Sequence, residues 1–132
     1  MKITDFINAN TIEKMKEEIS EANGNEVFFR GVPDEAGVVS EVEVIARGNE
    51  YSVAALLNMM KKNEVIIHNH PSGVLLPSNA DISVSSGYGN SGGASYIVNN
   101  SVDDIYVIVP LKKQEKIYLK SEQSELIKRS LL

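Results

Sequence analysis

The sequence predicts an α/β fold, a sheet of short apolar strands with helices on both faces. Two observations carry that reading. Helical and strand patterns alternate along the chain instead of falling into separate blocks, and 132 residues, 42% of them apolar, make one globular domain. A chain of this length buries roughly 65–70% of the surface its unfolded form exposes, so a core forms without covalent staples.

Thr11 stands before Ile12-Glu13-Lys14-Met15 and a charged run that ends at Asn23-Gly24, which places a capping residue ahead of a helix over 11–23 and a glycine behind it. Ile12, Met15 and Ile19 fall on one face of that helix. Glu26 to Arg30 and Val38 to Ala46 are β-branched or aromatic runs bounded by Gly24, Gly31-Val32-Pro33 and Gly48-Asn49, and are expected as an antiparallel pair of strands. Ser52 to Met60 reads as a second, largely buried helix, and Glu64 to His68 as a strand. Asn69 to Pro77 holds two prolines and a glycine and is a loop, after which Ser78 opens a helix running to about Gly87. Gly89 to Gly93 is expected to be a mobile loop. Ala94 to Val98, Asp104 to Val109 and Glu115 to Leu119 read as three more strands, and the charged segment Ser121 to Leu132 as a terminal helix. That last helix suits a linker, and the single domain spanning 1–132 is expected to have been cut from a longer protein.

Composition excludes several chemistries. The chain has no cysteine, so thiol nucleophiles, thiolate metal sites and redox pairs are ruled out, and a reducing compartment, the cytoplasm, is expected. With 13 Lys and Arg against 18 Asp and Glu, the net charge of −5 opposes a phosphate-binding role. Direct nucleic-acid binding is therefore not expected, Lys112, Lys113 and Lys116 being only a modest basic cluster. No signal-like segment follows Met1 and no run of about 18 apolar residues occurs, so no membrane partner is expected.

The chemistry concentrates between His68 and Asp81. The only two histidines, His68 and His70, lie at the end of an apolar strand, and a period of two turns both imidazoles to one side. Ser78 and Asp81 follow at the start of a helix able to fold back over that strand end. Two imidazole nitrogens and a carboxylate oxygen make a three-ligand set for zinc with a fourth position for water. Ser78-x-x-Asp81 equally fits a helix N-cap with an acidic residue in the first turn, and one serine can serve both roles. A metal of this kind works with a nearby carboxylate that shuttles the proton. Glu64 has the right parity but stands about 13 Å along the strand from His68 at roughly 3.3 Å per residue. Glu26, Glu41 and Glu43 are the alternatives, and spacing alone does not choose among them.

His68-Asn69-His70-Pro71-Ser72-Gly73, the seven residues Pro71 to Pro77, and then Ser78-Asn79-Ala80-Asp81 resemble the JAMM metalloprotease motif, His-x-His-x7-Ser-x-x-Asp. The His-Asn-His-Pro-Ser-Gly form is most similar to the bacterial RadC-like branch of the JAB/MPN domains, with a likeness covering about residues 25–110. The resemblance implies a three-layer α/β/α sandwich around a curved mixed sheet, the cytidine-deaminase-like fold. It also implies a zinc hydrolase of peptide or isopeptide bonds, acting on peptides or ubiquitin-like conjugates. By position, His68, His70 and Asp81 match the Zn2+ ligands, Ser78 the residue that steadies the oxyanion or the metal-bound water, and Glu26 the catalytic glutamate of an early strand. A zinc deaminase and a zincin are set aside, because this chain lacks Pro-Cys-x-x-Cys and His-Glu-x-x-His. The other reading of the same fold is a non-catalytic module that recruits a partner within a DNA repair or helicase-like protein.

Overall fold

The structure is a computed structural model that describes residues 2–48, 52–89, 93–112, 115–120 and 127–131. After a short 3-10 turn, Ile3–Asp5, the chain forms α1 (Ala9–Glu21), β1 (Val27–Pro33), β2 (Val39–Arg47), α2 (Val53–Asn58), β3 (Val65–Asn69), α3 (Asn79–Gly89), β4 (Ala94–Val98), β5 (Ile105–Lys112), β6 (Glu115–Lys120) and β7 (Ile127–Leu131). The strands make one mixed sheet in the order β2-β1-β3-β4-β5-β6-β7. Among the described strands, β3 and β4 run parallel, joined by the crossover through α3, and the other neighbouring pairs are antiparallel. This is a mixed α/β architecture.

Two apolar clusters sit on the sheet. Val27 and Phe29 of β1, with Val65 and Ile67 of β3, pack with Ile12, Met15 and Ile19 of α1. The intervening Phe28 and Ile66 pack instead with Leu56 of α2 and Val84 of α3. Alternate residues of a strand face opposite ways, so the first helix and the later two cover different faces. At Gly31 a Cβ would come within 2.9 Å of Ile67 Cδ1 and 3.1 Å of Val39 Cγ1, so a glycine lets the three strands close over the first cluster.

The observed elements differ from the sequence expectations in instructive places. Asn8, not Thr11, caps α1: its side chain accepts from the Thr11 amide at 2.8 Å, and the helix starts two residues earlier. β1 continues through Gly31-Val32-Pro33, because pairing with β2 carries the chain past what looked like a breaker. Of the helix expected over 121–132, residues 121–126 and 132 lie outside the described residues, and the rest is corrected: Ile127–Leu131 is β7, paired antiparallel with β6 in the register Ile117↔Arg129. Apolar residues at 127 and 131 fit a helical turn and a strand alternation alike, and the open edge of β6 decides between them by offering backbone partners. Of the expected mobile loop, residues 90–92 lie outside the described residues, and α3 runs on to Gly89. Among the described residues, no helix is long and apolar enough to cross a membrane.

Candidate metal centre

The site lies at the carboxyl end of β3, beside the start of α3, the strand end at which α/β sheets bind ligands. His68 belongs to β3 and His70 follows directly, its amide still donating to the Val98 carbonyl at 2.8 Å. Gly73, at φ 81°, turns the chain back and donates to the His70 carbonyl at 3.0 Å. The loop then delivers α3 so that Asp81 faces both imidazoles. Asp81 Oδ1 lies 2.9 Å from His68 Nε2, Asp81 Oδ2 lies 2.9 Å from His70 Nε2, and the two Nε2 atoms are 3.2 Å apart.

Each of these groups is held from behind. Ser78 and Asp81 form a reciprocal cap on α3: the Ser78 amide donates to Asp81 Oδ2 at 2.8 Å and the Asp81 amide donates to Ser78 Oγ at 3.1 Å. His70 Nδ1 sits 2.8 Å from the Val74 carbonyl. A carbonyl only accepts, so Nδ1 carries the proton, and in the neutral ring Nε2 offers its lone pair to the site. Metal-ligating histidines are oriented in this way. The buried His68 ring lies against Phe28, centroids 4.7 Å apart at 14°.

Glu26 reaches the same point from the position just ahead of β1. Phe28 pairs with His68 across the antiparallel β1/β3 ladder, and continuing that register by two residues sets Glu26 opposite His70. Ligand atoms of Glu26, His68 and His70 all lie within 4.8 Å of one another, a cluster able to hold a metal ion. The other candidate glutamates are elsewhere. Glu43 is on β2, ion-paired to Arg30 at 3.1 Å. Glu41 faces Val32 farther along the same pair. Glu64, at the far end of β3, accepts from the Lys61 amide at 2.6 Å and lies 3.4 Å from Arg30 Nε.

The donor set fits zinc. Donors 2.0–2.1 Å from a tetrahedral ion are about 3.3 Å apart, close to the 2.9–3.2 Å separations among His68, His70 and Asp81. Two nitrogens and a carboxylate suit a borderline ion better than a hard one.

Charge in the metal-free site follows from these contacts. Burial alone would raise the Asp81 carboxyl, but hydrogen bonds from His68 and His70 and from the Ser78 amide hold it well below the usual carboxylate range. The hydrogen bond to Asp81 raises His70 against the opposing effect of burial. Burial raises the Glu26 carboxyl, partly offset by His68. A depressed acid stabilises the fold above its ordinary value and loses that contribution as pH falls; a raised histidine stabilises below its ordinary value and loses it as pH rises. With ordinary values of 3.8 for Asp81 and 6.5 for His70, the metal-free pair contributes most between those two pH values. Denaturation of the metal-free protein and of Asp81→Asn should differ there by about 2 kcal/mol, the scale of charge-assisted hydrogen bonds, and converge on either side.

A profile of the RadC-like JAB domain matches residues 7–109. The chain belongs to the RadC-like JAB domain family. Two UPF0758 proteins of Vibrio vulnificus, from strains YJ016 and CMCP6, are each 44% identical to it over 57 residues, which is 43% of this chain and 21% of each relative. The chain thus matches only about a fifth of the length of these relatives.

In this RadC-like JAB domain the residue between the histidines is more than loop chemistry, the role its sequence setting indicated. Asn69 is the last residue of β3 and is fully buried, with its amide engaged on three sides. The Asn between two candidate ligands was visible in the sequence, but its partners come from residues 25–27 and 100, which only the fold brings near. A separate groove of about 430 Å3, bordered by Thr11, Lys14, Ser40 and Glu41, contains none of the site residues.

Proposed function

We propose that the domain is a zinc-dependent metallopeptidase of the JAMM type, hydrolysing peptide or isopeptide bonds, with the tail of a ubiquitin-like protein as one class of substrate. The observation that carries this reading is the convergence of His68, His70 and Asp81 Nε2 and Oδ atoms at 2.9–3.2 Å, with the Glu26 carboxyl beside them. His68, His70 and Asp81 would hold the ion. Asp81 suits ligation because it touches both imidazoles and is fixed by the α3 cap, whereas Glu26, reaching the imidazoles from the segment just ahead of β1, is left for proton transfer. The apolar clusters on the two faces of the sheet support the three-layer, cytidine-deaminase-like arrangement of such enzymes.

When bound, zinc polarises the scissile carbonyl and brings a water to a pKa of about 7. Glu26 takes one proton from the attacking water and returns it to the leaving amine, so one water is consumed as one C–N bond breaks. A carboxyl raised by burial is better matched to that exchange near neutrality than an exposed one. Ser78 Oγ already accepts from the Asp81 amide, which leaves its hydroxyl proton to donate to the developing oxyanion. Val74, Leu76 and Ile82 flank the site with 59%, 66% and 41% of their surfaces exposed, and offer contact for apolar side chains of an extended substrate.

Chelation tests the reading. The zinc-loaded protein should cleave quenched peptides or ε-linked Gly–Lys isopeptides, lose that turnover to a chelator, and regain it with about one equivalent of zinc. Turnover that survives chelation, or a zinc-loaded protein inert to both probe classes, overturns it; the second result would favour the partner-binding module.

A further inference from the structure

We infer that Asn69 and Asn100 form a bracket that positions Glu26 against the histidine pair. Asn69 Oδ1 accepts from the Val27 amide at 2.7 Å, and its Nδ2 donates to the Asn25 carbonyl at 3.2 Å. The two residues flanking Glu26 are therefore tied to one side chain that itself stands between His68 and His70. The same Nδ2 group donates to Asn100 Oδ1 at 2.6 Å, and Asn100 Nδ2 donates to the Gly24 carbonyl at 2.9 Å. The segment from Gly24 to Val27 is thus pinned at three backbone atoms by two amides, one from β3 and one from the turn after β4.

The pinned stretch needs such support. Residues 25 and 26 precede the first ladder residue of β1. The Glu26 carbonyl accepts from the Gly48 amide at 2.7 Å and the Asn25 amide donates to the Ala22 carbonyl at 3.1 Å, so backbone bonds hold the side facing β2 while the Asn69 amide is what ties the stretch to β3. Asn69 is wholly buried, and a buried amide left unpaired would cost about 1–3 kcal/mol; its contacts to β1 are what a buried asparagine requires. The turn that supplies Asn100 is itself over-determined. Asn99 Oδ1 accepts from the Asp103 and Asp104 amides at 3.0 and 3.1 Å, and Val102 is held at φ 50°, a conformation that β-branched residues avoid. A rigid turn, two amides and the β3 end therefore set where the Glu26 carboxyl lies relative to the imidazoles.

The inference rests on the metallopeptidase reading for its consequence in catalysis, but its geometry is measurable without turnover. In Asn69→Ala the Val27 amide should exchange at least tenfold faster, whereas in Asn69→Asp, which keeps the acceptor, it should stay protected; in both variants the donation to the Asn25 carbonyl is lost. The nuclear Overhauser contact between the Glu26 γ-methylene and the His70 ring in the metal-free protein should disappear. Aspartate keeps the acceptor for Val27 but cannot donate to Asn25, so it separates the two halves of the bracket. With zinc content and KM on the ε-linked Gly–Lys probe within about twofold of wild type, kcat should fall about 100-fold, the cost of a displacement near 1 Å at a reacting group. Should both variants at 69 fail to fold, Asn100→Ala is read on the same axes, with an expected fall of about tenfold. Faster Val27 exchange with kcat unchanged would make the bracket merely structural and overturn the inference, as would an unchanged Overhauser contact. If wild type is itself inert on every peptide probe, the metallopeptidase reading fails separately, and the bracket stands or falls on exchange and the Overhauser contact.

Discussion

Asp81→Ala is expected to abolish zinc binding and, with it, any zinc-dependent gain in stability. Wild type at a free zinc concentration 100 times its dissociation constant should gain about 2.7 kcal/mol, read as a rise in the denaturation midpoint, and the variant should gain nothing. Asp81 touches both imidazoles and accepts from the Ser78 amide, so alanine also removes half of the α3 cap, at a cost of about 1 kcal/mol. Asp81→Asn separates the two effects. The amide oxygen still accepts from Ser78 and preserves the helix start, but the neutral side chain is a poor zinc ligand. Elemental analysis should find about one zinc per wild-type chain and essentially none in either variant. A variant that keeps stoichiometric zinc would remove Asp81 from the ligand set and leave Glu26, His68 and His70 as the centre.

Glu26→Gln should lower kcat by 10²–10⁴-fold, the range a positioned general base contributes, while zinc content and KM hold. The amide is nearly isosteric and cannot accept a proton, so the change removes proton transfer without emptying the space. Steady-state kinetics on the peptide and isopeptide probes, with zinc measured on the same samples, decides the matter. Loss of zinc together with turnover would reassign Glu26 as a ligand. Retention of full turnover would remove it from the chemistry, and with it the reason for a bracket at Asn69.

The motif residues were legible because they are close in sequence. His68 and His70 share a strand face by its period of two, and Ser78 and Asp81 are the N-cap and third residue of one helix, so local geometry alone brings each pair together. The choice of Glu26 over Glu41 and Glu43 was not legible from spacing. It depends on β1 lying antiparallel beside β3 with Phe28 opposite His68, a register set by which side chains each face buries. The C-terminal segment shows the same limit: its apolar spacing served helix and strand equally, and the edge of β6 resolved it.

The sequence by itself determined the α/β class, most element positions, the absence of thiol chemistry and the four-residue motif at the end of the histidine strand. All of these follow from local periodicity, capping and composition. Tertiary structure decided which glutamate meets the imidazoles, that Asn69 and Asn100 hold the backbone around it, and that the last described segment is a strand. The first two outcomes rest on contacts between residues 31 to 76 positions apart, as in Asn69 with Asn100 and Asn100 with Gly24, and the third on the pairing of β7 with β6. No local pattern encodes such distances; the sheet creates them when burial selects its strand order and register.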